Sequence, residues 1–382
     1  MDNDGNKMKN KVLHIIPSMS DGGAQRVIFD YISNKDMMDS YQLEFLSLVK
    51  DSNSMYNNKL NIGEYKISYL QPKVINCRIY IIRKLINMIS RVLSVCIYIK
   101  RCQPVAIHTH MSSILRDMLI PFLLFRGGKF HTMHSDPYSC NKMQVFYTKL
   151  AFIYLNVHPV AVSEVQRKKA MIRYGLPKCD LLRNSIDIDA IQQSVERMDK
   201  SALRRKYNIP KHGVVIGSVG RLHPVKNYDG LIKIFAEYKK SANNPVYLAI
   251  AGDGEERGNL ISLAQKLGVA DSVFLVGNIE IDHVYEFYKM LDIFVMTSHT
   301  EAAPMSFLEA QAVGVRCVVA SSVDPSMVYR KNVRCMEHGA SISDWCFAFS
   351  DANYVNKNVF PSEEFDLSTV MERLEKIYDK YL

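Results

Sequence analysis

The sequence predicts a layered α/β protein: two doubly wound halves in tandem, with a cleft between them. Three observations predict it. Apolar runs of strand length alternate with helix-period segments throughout the chain. At 382 residues the chain exceeds one ordinary hydrophobic core, so two domains are the default. A strand-like run restarts at Val214, after a polar, basic stretch from Asp189 to Asn208 that ends at Pro210.

Taken in order, Lys11 to Pro17 (KVLHIIP) reads as a buried strand, Ser18 to Gly23 as a turn and Ala24 to Ser33 as a helix. Leu43 to Val49, Ile67 to Leu70, Val105 to His110, Lys129 to His134, Val160 to Ser163 and Leu181 to Asn184 read as further strands. The second half offers strands at Val214 to Arg221, Val246 to Gly252, Val273 to Gly277, Asp292 to Thr297 and Arg316 to Ser321. Asp366 to Leu382 is helical by period, with Leu367, Val370, Leu374 and Ile377 on one stripe.

The apolar fraction of 48% and charged fraction of 23% describe a globular chain. The net charge of +9 is uneven. Residues 1–190 hold 26 Lys+Arg against 15 Asp+Glu, a balance of +11; the remainder holds 22 against 24, a balance of −2. A basic first half suits a polyanionic or membrane-surface partner, and equally a solvated basic face. The segment Ile79 to Lys100 is apolar on one face and is dotted and flanked by Arg78, Arg83, Lys84, Arg91, Lys100 and Arg101. Such a helix either lies on an anionic membrane or packs on a sheet, and packing is the commoner fate. Ile120 to Phe125 is ambiguous in the same way.

The eight cysteines form no CxxC and no His/Cys ligand spacing, and Cys96 and Cys317 sit in apolar segments. That is the pattern of free thiols in a reducing compartment. Met1 to Asn10 is polar and lacks a signal core, and no uncharged run reaches the roughly 18 residues that span a bilayer. A cytoplasmic protein is expected, soluble or peripheral on the inner face of the plasma membrane. No aromatic-interleaved basic motif suggests a nucleic-acid partner.

Chemistry concentrates at predicted carboxyl ends of strands, where open parallel sheets bind ligands. Glu301 and Glu309 stand seven residues apart in HTEAAPMSFLEA, between a strand-like and a helix-like run. Arg221 ends VVIGSVGR and Lys226 follows five residues on, just before a predicted helix. An Arg fork and a Lys point charge beside a helix N-terminus make a diphosphate clamp without metal, though two solvated cations look the same in sequence. Gly252 and Gly254 follow a strand in GDGEERG, which is not the GxGxxG dinucleotide fingerprint; they suit close backbone approach to a nucleotide, or an ordinary turn. Gly22 and Gly23 hold the matching turn of the first half. His134 closes a strand and is placed to hold a sugar hydroxyl or a developing charge, while His108, His110 and His131 look less well placed. Asp187 and Asp189 spell DxD but read as helix-capping carboxylates, and no other acidic cluster invites a metal.

The ordered set SMSDGGAQRV, HTMHSD, AVSE, RNSIDID, VGRLHPVKN, AGDGEERGNL, VFLVG and TEAAPMSFLEAQAVG resembles the retaining glycosyltransferases of family four, from about residue 11 to residue 320. The resemblance implies the GT-B fold. It implies an acceptor-binding Rossmann-like domain at 1–188, a nucleotide-sugar-binding one at 189–362, and a C-terminal helix at 363–382 crossing back onto the first. It implies that Glu309 accepts from the ribose hydroxyls, that Glu301 holds a donor-sugar hydroxyl, and that Arg221 and Lys226 neutralise the leaving diphosphate. Ala302, Ala303 and Pro304 would touch the sugar or phosphate through their backbone. Gly22 and Gly23 would approach the diphosphate from the acceptor side, His134 would sit beside the sugar near its C6 hydroxyl, and Asn184 would mark the turn between domains. The sequence departs from the family at Ala302, a glycine elsewhere, at Gln25, where an acid is common, and at Arg316, where proline is usual.

The expected activity is transfer of a hexosyl group, with retention, from a nucleotide-diphosphate donor, UDP-linked by preference, to a saccharide acceptor, lipid-linked by the logic of the basic first half. The setting would be capsular polysaccharide, exopolysaccharide or O-antigen synthesis. The nucleotide-sugar is a co-substrate, and neither cofactor nor metal is expected. Two alternatives stand beside this: a nucleotide-sugar 2-epimerase on the same fold, and a non-catalytic scaffold of a polysaccharide assembly complex.

Overall fold

A computed structural model describes residues 9–20, 22–51, 54–62, 67–72 and 79–382, with main chain only at 57, 58, 61 and 62. The first eight residues, Asp21 of the predicted turn, Cys77 and Arg78 lie outside the described residues. The chain divides into two compact units, one of Met1–Ser185 with Leu367–Leu382, the other of Ile186–Asp366.

Among its described residues the first unit holds seven parallel strands: β1 (Asn10–Ser18), β2 (Tyr41–Val49), β3 (Ser68–Tyr69), β4 (Ala106–His110), β5 (Gly128–Met133), β6 (His158–Ala161) and β7 (Asp180–Leu181). Their order is β3-β2-β1-β4-β5-β6-β7. Strand order therefore reverses between β1 and β4, the switch point at which a crevice opens beyond the strand ends. Two-residue alternation sorts the strands' side chains between faces. Leu13, Ile15, Ile107 and Met133 join the apolar core with Val95 and Ile99 of helix Tyr80–Cys102 and with Met118 and Phe122 of helix Leu115–Leu124. The opposite face carries His14, His108 and His110, whose register sets His14 beside His108 and His110 beside Thr132. Helix Leu367–Tyr381 covers that face, its Tyr378 edge-on to His108 and Phe130. Polar ties fix the helix: Ser40 N–H to Glu375 at 2.6 Å, Tyr41 to Asp379 at 2.9 Å, and Tyr381 to Asp180 at 2.7 Å.

The second unit holds six parallel strands: β8 (Val214–Val219), β9 (Val246–Ala251), β10 (Val273–Gly277), β11 (Ile293–Met296), β12 (Arg316–Val319) and β13 (Val333–Cys335). Their order, β10-β9-β8-β11-β12-β13, repeats the first unit's scheme, with its switch point between β8 and β11. Ile216, Leu248, Ile250, Val295 and Val318 meet Leu231, Ile232 and Phe235 of helix Tyr228–Ser241 and Trp345 and Phe349 of helix Ile342–Ser350 in one core.

Strand β13 and the break in the basic stretch differ from the sequence expectation, and three other details fill it in. The strand β13 was not anticipated: three residues give too little alternation to register. The basic stretch 189–208 is two helices, Ile188–Val195 and Lys200–Lys206, broken where Asp199 caps the second by accepting from Ser201 and Ala202 N–H. Asp187 caps the first through Ala190 N–H at 2.9 Å, the role read for it. Helix Tyr80–Cys102 packs by one face only, burying Val92, Val95 and Ile99 while leaving Ile81, Leu85, Ile89, Leu93 and Ile97 in solvent. Arg316, free of proline's restraint, caps the end of helix Ile342–Ser350, donating to the carbonyls of Ala348, Phe349 and Asp351.

Candidate active site

In the second unit the site grows from two loops at the switch point. After β8 the chain turns at Gly220, passes Arg221 and forms a 3-10 turn, Pro224–Lys226, before Asn227 adopts a left-handed conformation and opens helix Tyr228–Ser241. After β11 it runs from Thr297 to Pro304 and enters helix Met305–Val313. Because β8 and β11 are neighbours, the loops lie side by side and are laced together. His299 N–H donates to Val225 O at 2.9 Å, Asn227 Nδ2 to Thr297 O at 3.1 Å, and Thr297 Oγ1 to Asn227 O at 3.0 Å. That lacing sets Lys226 Nζ 2.7 Å from Glu301 Oε1, a charge-assisted pair largely shielded from solvent. Arg221, on the same loop, is exposed.

Glu309 stands in the second turn of helix Met305–Val313, only 6% exposed. Tyr288 donates its hydroxyl to Glu309 Oε2 at 2.8 Å. Burial, reinforced by the Glu309 carboxylate, pushes the Tyr288 phenol well above its ordinary pKa, so it remains a donor. Ala302, Ala303 and Pro304 form the turn that leads from Glu301 into the helix; Ala302 is buried and Pro304 occupies the cap, its carbonyl accepting from Phe307 N–H.

Gly252 and Gly254 lie beneath the β8 loop. A Cβ on Gly252 would meet Gly220 O at 2.1 Å, at a φ of 127° that disfavours any side chain, and one on Gly254 would meet Leu222 O at 2.4 Å. The loops are tied by Leu222 N–H to Asp253 O at 2.9 Å and Glu256 N–H to Leu222 O at 3.1 Å. The immediate demand on both glycines is thus backbone against backbone, which fixes where Arg221 stands.

In the first unit the switch-point residues are uncharged. Gly22 precedes helix Gly23–Ser33 in extended backbone; a Cβ there would meet Gln25 Oε1 at 2.6 Å, so the end of the Gln25 side chain would have to shift. Buried Gln25 donates to Ser20 Oγ at 3.1 Å and Ser18 O at 3.3 Å, so it ties the β1 loop together where an acid is common. Beyond β4, Met111 is held at a φ of 68°. His134 is the first residue past β5; it is half-buried, and burial lowers its pKa to about 4. Its Nε2 lies 3.1 Å from His110 Nδ1.

Residues 199–337 match the family described as glycosyl transferases group 1. Bacillus subtilis EpsF is 24% identical over 328 residues, covering 83% of this chain and 81% of that protein. The Escherichia coli O-antigen biosynthesis glycosyltransferase WclY is 26% identical over 177 residues, 46% of this chain and 44% of that one. These likenesses are to group 1 glycosyltransferases, and the activity they support is glycosyl transfer. A crystal structure of Anabaena HepE in complex with UDP-glucose superposes with a TM-score of 0.73 at 18% identity, covering 97% of this chain and 95% of HepE, and that likeness shows the fold, GT-B.

The structure brings Glu301 and Lys226 into contact and sets Arg221 on the Lys226 loop, with Gly252 and Gly254 under it. It bonds Glu309 to Tyr288, a partner that sequence reading did not supply, because no spacing rule connects a tyrosine 21 residues upstream to that carboxylate. His14, His108, His110 and Tyr378 were also missed as a group. The one signal that would have found them is the His-x-His alternation of AIHTH, which puts two imidazoles on one face of a strand.

Proposed function

We propose that this chain is a glycosyltransferase that moves a sugar, with retention of anomeric configuration, from a UDP-sugar to a lipid-linked saccharide during bacterial surface-polysaccharide assembly. The observation that carries the reading is the Lys226–Glu301 pair held at the switch point of the second sheet, beside exposed Arg221 and the Tyr288-anchored Glu309. On donor binding, Lys226 leaves Glu301 for the diphosphate, where it and Arg221 offset the charge that builds as the nucleotide departs. Glu301 then accepts from a sugar hydroxyl, and Glu309, one oxygen fixed by Tyr288, accepts from the ribose. The helix N-terminus after Pro304 and the backbone of Ala302 and Ala303 add aligned N–H dipoles. Gly22 and Gly23 admit the diphosphate close to main chain, and His134 meets the sugar. No carboxylate serves as nucleophile in this scheme: the acceptor attacks on the face the diphosphate leaves, with the departing phosphate as base. HepE, which shares the fold, was crystallised with UDP-glucose, and this favours uridine; WclY acts in O-antigen biosynthesis, and this favours a surface glycan.

The first unit supports a membrane-bound acceptor. Helix Tyr80–Cys102 carries Arg83, Lys84, Lys100 and Arg101 besides Arg91, which pairs with Asp117 at 2.6 Å; the helix itself holds no acid, and no Asp or Glu occurs between Glu64 and Asp117. Its Ile81, 75% exposed, heads the four-residue stripe through Leu85, Ile89, Leu93 and Ile97, and Leu123 and Leu124 of helix Leu115–Leu124 are 68% and 67% exposed. Apolar contact joined to unbalanced positive charge matches an anionic lipid surface. Among the described residues no helix is long and apolar enough to cross a membrane.

The test is a thermal-shift panel of UDP-, GDP- and ADP-sugars, each with and without chelator. The reading expects a selective rise with one UDP-sugar, unchanged by chelation. Equal response to all nucleotides, or strict dependence on divalent metal, overturns it. Consumption of the donor with no acceptor present would mark the epimerase alternative, and wild-type function of Lys226→Ala would mark the scaffold.

A further inference from the structure

The buried face of the first sheet holds an unbroken series of hydrogen bonds. Thr132 Oγ1 lies 2.7 Å from His108 Nε2, and His108 Nδ1 lies 2.7 Å from Tyr378 OH. Tyr378 OH is 2.8 Å from His14 Nε2, His14 Nδ1 is 3.0 Å from His110 Nε2, and His110 Nδ1 is 3.1 Å from His134 Nε2. The imidazoles are neutral: burial draws His14 down to about 3, and burial plus neighbouring rings draw His108 and His110 well below the ordinary value.

A neutral imidazole carries one N–H and a hydroxyl one O–H, so each link contains a single proton and each interior histidine donates on one side and accepts on the other. Three orders satisfy all five links: one running from Thr132 to His134, one reversed, and one in which Tyr378 accepts from both His108 and His14, which strands the fully buried Tyr378 O–H with no acceptor among the described residues. In the reversed order Thr132 accepts from His108, and its own O–H needs another acceptor. Thr132 is 3% exposed and, among the described residues, its side chain bonds His108 alone. That order leaves a buried donor orphaned, the costly case in hydrogen-bond energetics. The forward order leaves nothing unpaired. It ends with His134 Nε2 accepting and the proton on His134 Nδ1, which has no partner among the described residues.

We propose that Thr132, His108, Tyr378, His14 and His110 form a one-way hydrogen-bond chain that holds His134 as its Nδ1–H tautomer, so that His134 meets ligand as a hydrogen-bond donor to oxygen rather than as a base. The other four side chains and Thr132 are positioning residues that act through His134. The tautomer assignment stands on this sheet alone; its use against a donor sugar rests on the function proposed above.

The test is two-bond proton–nitrogen NMR of 15N-histidine-labelled protein at neutral pH without donor. The wild type is expected to show His14, His108, His110 and His134 all as Nδ1–H tautomers. Tyr378→Phe removes the central link, and His14, His110 and His134 are expected to lose that uniform state. Thr132→Val should scramble it and Thr132→Ser restore it, which separates ordering from a general packing loss. An Nε2–H tautomer or a mixture at wild-type His134 overturns the proposal, as does an unchanged His134 in both Tyr378→Phe and Thr132→Val. These spectra involve no sugar nucleotide, so their failure is distinct from failure of the transfer reading, which the donor panel decides.

Discussion

At the junction of β8 and β11 the side chains that pair at the carboxyl edge are a lysine and a glutamate, whereas at the junction of β1 and β4 they are amides and neutral imidazoles. The two sheets share one strand order, so topology does not cause the difference. Loop chemistry does. Lys226 and Glu301 stand on loops rather than within strands, with side chains 21% and 11% exposed, so each charge keeps some hydration beside its partner. His14, His108 and His110 lie within strands under a helix, where only neutral, fully bonded groups are tolerated. One switch point presents a charged pair on its loops and the other a neutral hydrogen-bonded series within its strands.

The largest expected break in that comparison is with acid. His14 and His131 are lowered by burial to about 3, His134 to about 4, and His108 and His110 also lie well below the ordinary 6.5, all in the first unit. With a folded pKa below the unfolded one, the unfolded chain binds protons that the native unit refuses as pH falls below 6.5. Stability is therefore complete above that pH and is lost on descending toward 3–4, at a slope of up to about 1.4 kcal/mol per pH unit for each histidine. Urea unfolding at pH 7.5 and pH 5.5, followed by circular dichroism, should show the first unit weakened by several such increments. The single Trp345, in the second unit, supplies the internal reference, since its fluorescence midpoint should move less. Equal shifts by both probes would erase the distinction drawn here.

Second in size is loss of charge from the charged pair. On the proposed mechanism Lys226→Ala takes a cation from the leaving diphosphate and strands Glu301, and kcat should fall by about 10²–10³ with the fold intact, the usual scale for one transition-state donor. Arg221→Ala should fall less, because its exposed side chain gives up no preformed pair. A loss confined to KM in Lys226→Ala would mean uniform binding rather than stabilisation of departing charge.

How legible each site was follows from the same contrast. The placement of Glu301, Glu309, Arg221 and Lys226 in the loops and helix start beyond β8 and β11 was readable because each borders a strand-like or helix-like run, and their order along the chain matches a known pattern. The strands around them were readable from apolar runs, and the doubly wound scheme followed from β-α alternation, whereas the strand order itself appears only in the structure. The histidine chain was not readable: it joins residues 14, 108, 110, 132, 134 and 378, and only register between strands plus the return of the last helix brings these together. Tyr288 beneath Glu309 escaped for the same reason. The partners that tune a site lie across elements, and a linear pattern carries no record of register.

A third prediction sharpens the role of the β9 turn. Gly252→Ala places a methyl 2.1 Å from Gly220 O at a φ of 127°, so the β8 loop must move; a cost of about 2–3 kcal/mol is expected, with Arg221 displaced and transfer impaired. Gly258→Ala, inside helix Arg257–Lys266 with nothing within 4 Å, should instead stabilise by about 0.5–1 kcal/mol. Chemical denaturation monitored at Trp345 measures both, and opposite signs are required. A neutral Gly252→Ala would mean that the turn gives way freely and does not fix the loop above it.

The smallest effect concerns the face of the first unit turned to solvent. Leu93 is 57% exposed in the middle of the helix Tyr80–Cys102 stripe, and its replacement removes nothing from the core formed by Val92, Val95 and Ile99. Leu93→Glu should leave the melting temperature and the donor-induced thermal shift unchanged. It should weaken binding to vesicles rich in phosphatidylglycerol by about tenfold, since roughly 1.4 kcal/mol is what a part-immersed leucine contributes and an added acid meets lipid of its own sign. Lys84→Glu should act in the same direction and respond to salt, whereas the leucine contribution should not. Cosedimentation across a salt series separates the two. If neither substitution alters binding, or if phosphatidylcholine vesicles bind as well as anionic ones, this face does not meet a membrane, and an acceptor delivered from solution becomes the simpler account of the basic first unit.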